Sequence, residues 1–98
     1  MERVVRHRGG GSDEYGDPRP WTDAPLIASA VAPGASREYV ERGRNGSNVA
    51  FTVYFRPAVD LVDEDELTVR GSRFTVEVDD WVFGSSSGTV ANCVRGQG

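Results

Sequence analysis

The sequence predicts an all-β protein: a small six-stranded β-barrel over residues 1–98, with long loops and at most one short helical turn. Several short runs alternate apolar and polar residues, as half-buried strands do. Gly 12 and Pro 5 supply turn signals between these runs. A barrel is favoured over an open sheet because closure removes the edges that otherwise pair with other chains.

Six stretches are predicted as strands, and the clearest is Val49–Arg56, where alternate residues from Val49 to Phe55 form one apolar face. The other five are Glu2–Arg8, Ala24–Ala32, Leu67–Arg70, Phe74–Asp79 and Thr89–Arg95. The predicted core consists of Phe51, Val53, Phe55, Leu67, Val69, Phe74, Val76 and Val78, with Val90 and Val94 inward from the last strand.

The segments between the strands predict two tight turns, one helical turn and two extended loops. Gly71-Ser72 fits a type II′ hairpin turn, and Gly84–Gly88 (GSSSG) reads as a flexible turn. Ser36 is a good N-cap for one helical turn that ends at Arg42. The extended loops cover about 9–23 and 35–48. In the first loop, Tyr15 and Trp21 either pack back on the barrel or reach a neighbouring subunit.

Charge and composition exclude several classes of function. The net charge is −4, so a broad basic face for nucleic acid is not expected. The chain length and the hydrophobic content of 38% predict a modest core, which leaves self-assembly open as a way to complete its burial. One cysteine allows no intrachain disulfide. No apolar run fits a secretory signal or a membrane span, so neither is predicted.

The residue types that carry chemistry are too sparse to predict an enzyme, a cofactor or a metal site. His7 is the single histidine and lies between two arginines, and Cys93 lies on a predicted buried face. An acidic run lacks the glycine and the spacing of a calcium-binding loop. It is therefore interpreted either as a solvated turn or as a contact for an arginine-rich partner. The run consists of Asp60, Asp63, Glu64, Asp65 and Glu66.

The order of patterns from residue 49 onwards resembles a known family. A strand VAFTVYF is followed by a loop of proline and acids, and then by DELTVRGSRFTVEV. This order is similar to the core of the small head-completion proteins of long-tailed phages, also called head-closure proteins, head–tail stoppers or head–tail joining proteins. The resemblance covers about half of the chain. The matching positions are Asp60, Asp65 to Leu67, Val69, Gly71, Phe74, Val76, Trp81 and Thr89 to Val94.

The resemblance implies a structural role in the virion. Such proteins form a ring, most often of six copies, that closes the DNA exit channel after packaging and offers a docking surface to the tail. The implied partners are other copies of the chain, the adaptor ring below the portal, the tail terminator and the packaged double-stranded DNA, with no membrane. The implied location is the virion neck, assembled in the cytoplasm of the host bacterium.

Three groups of residues receive roles by this resemblance. The loop before Val49 becomes the channel gate, through Arg37, Glu38, Glu41, Arg42 and Arg44. The acidic run, from Asp60 to Glu66, is expected to contact an adjacent ring. Tyr15 and Trp21 are expected to contact a neighbouring subunit.

Two alternative functions remain open from the sequence. One is another neck or tail subunit, such as an adaptor or tail terminator, which a mutant phenotype would distinguish. The other is a monomeric β-barrel binding module unrelated to phages, which the oligomeric state would distinguish.

Overall fold

The fold is a single antiparallel sheet, seen in a computed structural model that describes residues 1–12, 14–43 and 46–95. The strand order is β2-β1-β5-β6-β7-β4-β3. Between β3 and β4 lie the α-helix α1 (Arg37–Glu41) and a 3-10 turn (Gly46–Asn48). No helix of the described residues is long and apolar enough to cross a membrane. The strands are β1 (Glu2–Arg8), β2 (Thr22–Ala28), β3 (Ala30–Pro33), β4 (Val49–Phe55), β5 (Glu66–Val69), β6 (Ser72–Phe83) and β7 (Ser86–Val94).

The prediction of a closed six-stranded barrel is wrong, because the sheet described is open and has seven strands. The predicted strand Ala24–Ala32 is split at Ser29 into β2, which pairs with β1, and β3, which pairs with β4. The Ser29 N–H donates to the carbonyl oxygen of Tyr54 at 2.7 Å, and its Oγ accepts from the Arg56 N–H at 3.0 Å. Because one residue joins the two edge strands, the sheet must curl around its core.

The predicted helical turn is confirmed as α1. Its N-cap is Ser36, whose Oγ accepts a hydrogen bond from the Tyr39 N–H at 3.2 Å. The helix lies against the sheet, since the buried Asn92 side chain of β7 accepts from the Ser36 N–H at 3.1 Å. The 3-10 turn is a second helical element, so the limit of one helical turn is wrong.

The core lies inside the curl of the sheet. Six of the eight predicted core residues are buried there, while Phe51 and Val78 are half-buried and pack against them. Leu61 is 2% exposed and enters the core from the loop after β4, so this loop covers part of the core that the sheet leaves open. The six are Val53, Phe55, Leu67, Val69, Phe74 and Val76.

The last strand, β7, has its faces reversed relative to the prediction. Ala91 and Cys93 are fully buried in the core, whereas Val90 and Val94 are half-buried on the other face. That other face also carries the buried Asn92, which α1 covers. Apolar alternation alone could not show this, because β7 is covered on both faces. Burial raises the pKa of the Cys93 thiol to about 12, so the thiol is protonated and unreactive at neutral pH.

The turn between β5 and β6 differs by one residue from the predicted type II′ turn. Val69 pairs with Ser72, so the two turn residues are Arg70 and Gly71. Both have positive φ, at 51° and 84°. Two residues at positive φ define a type I′ turn, whose backbone twist matches that of the flanking strands.

The hairpin of β6 and β7 is longer than predicted. Its ladder continues to the pair Phe83 and Ser86, so the connecting turn is only Gly84-Ser85. The prediction of a flexible turn over Gly84–Gly88 is therefore wrong. Gly88 is a strand residue opposite Trp81, and a Cβ atom at Gly88 would lie 2.4 Å from the indole ring. Glycine is required there because the indole lies directly against the backbone.

Candidate functional site

The acidic loop after β4 is attached to β1 by one arginine that bridges two carboxylates. Arg8 Nε and Nη2 donate to the two carboxylate oxygens of Asp65, both at 2.8 Å. The same guanidinium donates to both oxygens of Asp60, at 2.8 and 3.0 Å. Arg6 Nη1 also donates to the backbone carbonyl of Asp60 at 2.9 Å. Two bidentate contacts on one guanidinium fix the position of the loop on the sheet.

Asp65 is the buried member of this cluster, with its side chain 1% exposed. Burial alone would raise its pKa. The hydrogen bonds from Arg8 and from the Val62 N–H outweigh that effect, so the pKa lies below its usual value of 3.8. The carboxylate is therefore charged at neutral pH and stabilised by its partners.

The pKa of Asp65 predicts a loss of stability in acid. A carboxyl group whose pKa is lower in the folded than in the unfolded chain stabilises the fold at any pH above its pKa in the unfolded chain. This stabilisation is lost as the pH falls through the pKa of the group in the folded chain. The free energy of unfolding should therefore decrease below about pH 4. Asp65→Asn should show a shallower decrease. Urea denaturation at a series of pH values measures both slopes, and equal slopes would contradict the assignment.

The rest of the acidic run is mostly engaged within the chain. Asp63 Oδ1 accepts from the Val78 N–H at 2.7 Å, and Glu66 pairs with Arg73. Glu64 is exposed. Of the acids predicted to contact an adjacent ring, Asp65 has almost no surface to offer, whereas Asp60, Asp63 and Glu64 are exposed.

The predicted gate loop carries its charges as surface ion pairs. Arg37 Nε donates to Glu41 at 2.9 Å along α1, and Arg42 Nη1 donates to Asp79 of β6 at 2.7 Å. The Arg37 side chain is 91% exposed. The side chain of Glu38 and the whole of Arg44 lie outside the described residues. The structure thus places three of the five predicted gate residues at the surface around α1.

The loop between β1 and β2 is partly folded on itself. The Arg19 N–H donates to the Gly11 carbonyl oxygen at 3.0 Å, as in a short pair of antiparallel strands. Trp21 packs back on the sheet, since the Arg73 guanidinium lies 4.8 Å from the centre of its ring. Tyr15 is 81% exposed. Trp21 thus packs back on the sheet, and a contact of Tyr15 with a neighbouring subunit stays a prediction.

His7 has two side-chain partners that the sequence analysis missed. Its Nδ1 lies 2.6 Å from Asp23 Oδ1, and its Nε2 lies 2.7 Å from Thr68 Oγ1. A carboxylate, an imidazole and a hydroxyl in a row also form the triad of serine hydrolases. Thr68, however, lies within β5, which is paired on both sides. Its neighbouring amides therefore take part in ladder hydrogen bonds and cannot form an oxyanion hole. The row is best explained as a structural link between three strands.

An aromatic groove on the outer face of the β6–β7 hairpin was also missed. Two cavities, of about 260 and 250 Å³, share Tyr54, Trp81 and Val90 as lining residues. Arg56 lines the first cavity, with its guanidinium 5.4 Å from the centre of the Trp81 ring, and Arg37 lines the second. We define these five residues as the Trp81 groove. Gly88 lies opposite Trp81 and leaves room for its indole ring. A tryptophan and a glycine in neighbouring strands are the sequence signal that could have indicated this groove.

The described residues contain no cluster of three or more His, Cys, Asp or Glu side chains that could hold a metal ion. The fold and these features define a small antiparallel β protein whose exposed elements are two long loops, an acidic loop and a hairpin with an aromatic groove. Searches of protein-family models, of curated proteins and of solved structures find no match to this chain.

Proposed function

We propose that the chain is a structural subunit of a phage neck, which forms a ring, closes the DNA exit channel after packaging and provides a surface for the tail. The pattern from β4 to β7, including the proline, the acidic loop and the tight hairpin, carries the proposal, because it is similar to the core of head-completion proteins. This block forms a contiguous part of the sheet, in which β5, β6, β7 and β4 are neighbours.

The arrangement of surfaces supports an assembly role. Tyr15, Val82 and Phe83 are each more than three-quarters exposed, at the ends of extended segments. Large apolar side chains at protruding tips are typical of protein contacts. We propose no catalytic role for the chain. The row of Asp23, His7 and Thr68 lies within paired strands and has no oxyanion hole beside it. The neighbours would be further copies, the adaptor ring and the tail terminator, with packaged DNA in the channel.

The loop around α1 is proposed as the gate. Its arginines are paired with carboxylates, as Arg37 is with Glu41 and Arg42 with Asp79. Paired cations attract phosphates less than free ones do, which suits a gate that must later release the DNA.

Deletion of Arg42–Asn48 tests the gate. We expect filled heads that lose DNA, because the shortened loop no longer reaches the channel. A variant with the same seven residues replaced by glycine and serine keeps the length and separates length from side-chain chemistry. DNA retention by heads is measured by nuclease protection. Full retention by the deletion variant, once shown to be folded and incorporated, would remove the gate assignment.

A second candidate is another neck or tail subunit, such as an adaptor or tail terminator, and a third is an unrelated small β binding module. A terminator acts on the tail, so its loss would leave unfinished tails instead of tailless heads beside finished tails. A monomeric binding module would form no ring with portal complexes.

A further inference from the structure

The second half of β6 has a neighbouring strand on one side only. β5 pairs with β6 from Ser72 to Thr75, and no other described strand lies on that side of β6 beyond Thr75. On its other side β6 is paired with β7 as far as Phe83. The part of β6 from Val76 to Phe83 is therefore an edge strand, which we define as the β6 edge.

Alternate residues of the β6 edge direct their backbone N–H and C=O groups away from β7. The Val78 N–H shows this direction, because it donates to Asp63 Oδ1 at 2.7 Å and not to β7. Backbone directions in an antiparallel ladder repeat every second residue, so the groups of Asp80 and Val82 point the same way. In the described part of the chain these groups have no backbone partner on that side. They are available to a further strand.

The two outer edges of the sheet are protected against such pairing, whereas the β6 edge is not. β2 contains Pro25 and β3 contains Pro33. Proline cannot donate to a ladder, and natural proteins use it to blunt edge strands. The β6 edge contains no proline, and the side chain of its Val82 is 78% exposed.

A cleft of about 260 Å³ lies between the β6 edge and the loop after β4. Leu61 and Val62 of the loop and Val78 of β6 form its apolar wall. Such a wall suits the aliphatic stem of a long side chain whose charged end stays near water. The cleft is therefore placed to receive a side chain of a strand that is added at the edge.

The charges of this cleft favour a basic side chain. Its polar lining residues are Asp63, Glu64 and Asp80, all exposed, and no basic residue lines it. Asp63 accepts from the Val78 N–H through one oxygen. Asp80 accepts from Thr89 Oγ1 through one oxygen. Within residues 1–12, 14–43 and 46–95, no ion pair neutralises any of the three carboxylates.

The same charges disfavour a second copy of this chain as the added strand. Two copies that paired through their β6 edges would bring Asp80 of each close to the acids of the other, and like charges across a strand pair are destabilising. The basic strand of the chain, β1, is already paired on both sides, with β2 and β5. The strand that fits must come from a different protein.

We propose that the β6 edge binds an extended segment of another protein that contains arginine or lysine. The segment pairs with the backbone of Asp80 and Val82, and one basic side chain enters the cleft between Val62 and Asp80. In this kind of recognition the backbone hydrogen bonds supply affinity, and the side-chain pocket supplies specificity. The acids of the cleft also make the affinity fall as the salt concentration rises.

Titration of the purified full chain with synthetic peptides, followed by NMR, tests this contact. The probe is a short peptide of alternating valine and arginine. We expect it to protect the amides of Asp80 and Val82 from hydrogen exchange. The same peptide with glutamate in place of arginine should not bind. The arginine peptide with alternate backbone nitrogens methylated keeps its charge and loses its donors, so it should bind roughly tenfold more weakly.

A pair of protein variants tests the edge from the other side. Val82→Pro removes an N–H that points away from β7, so it should abolish protection of Asp80 while the ladder with β7 remains. Val82→Ala keeps that N–H and is the matched control, which should retain binding. The methylated peptide makes the same test on the unaltered chain if Val82→Pro fails to fold.

Three results would each overturn the proposal. They are no binding of the arginine peptide at the highest soluble concentration, equal binding of the methylated or the glutamate peptide, and protection only at sites away from β6. The proposal does not rest on the phage role, since the test uses the isolated chain. Failure of that role in virions would leave this result unchanged.

Discussion

Replacement of Phe55 by alanine is expected to lower the free energy of unfolding by about 3–5 kcal/mol. Phe55 is 2% exposed in the core, at the end of the β4–β7 ladder, where it pairs with Thr89. The substitution removes a large buried ring and leaves a cavity that a paired strand cannot close. A domain of this length is typically stable by about 5–15 kcal/mol, so the variant should be close to unfolding at room temperature.

The matched control is Phe83→Ala, the same change at a side chain that is 84% exposed. We expect its effect on the unfolding of the monomer to stay within about 0.5 kcal/mol. Urea denaturation followed by circular dichroism, at a dilution where the chain is monomeric, gives both values. Equal losses for the two variants would contradict the described core.

Replacement of Asp65 by alanine is expected to cost about 3 kcal/mol, the second-largest effect. The substitution removes the acceptor of hydrogen bonds from Arg8 and from the Val62 N–H. The loop that carries Leu61 into the core would then lose part of its attachment to β1 and keep only the contacts of Arg8 and Arg6 with Asp60. The midpoint of urea denaturation, at an unchanged dependence on urea, measures this loss.

Glu64→Ala is the control for this prediction, since Glu64 is the exposed neighbour in the same loop. Its expected effect is within about 0.5 kcal/mol. If both variants lost the same stability, or neither lost any, the loop would not be attached as described. The two variants also separate an effect on folding from an effect on binding a partner. If Glu64→Ala leaves the stability unchanged, Glu64→Lys can test head–tail joining without unfolding the chain.

The strands were largely predictable from the sequence, whereas the way in which the sheet curls without closing into a barrel was not. β1 begins and ends at the predicted residues, β4 ends one residue earlier than predicted, and β5 begins and ends one residue earlier than predicted. The bend at Ser29 escaped prediction because both faces of that stretch are apolar. β7 was assigned the wrong face because both of its faces are covered. Ala91 and Cys93 lie in the core, and α1 covers Asn92 on the face of Val90 and Val94.

The site was less predictable than the fold, because ion pairs and grooves depend on residues far apart in the chain. Asp65 belongs to a run of acids that looks solvated, and only its pairing with Arg8, 57 positions away, makes it a buried anchor. His7 finds Asp23 on β2 and Thr68 on β5 for the same reason. The Trp81 groove requires the register of β6 against β7, which the sequence left as a flexible turn.

Electron microscopy of particles made without this protein tests the central claim, a role in closing the head and joining the tail, most directly. In a phage that carries this gene, the proposed function predicts heads without tails, filled or emptied of DNA, beside separate finished tails. Restoring the protein in trans should return tailed particles. Normal tailed virions in the absence of the protein would contradict the account.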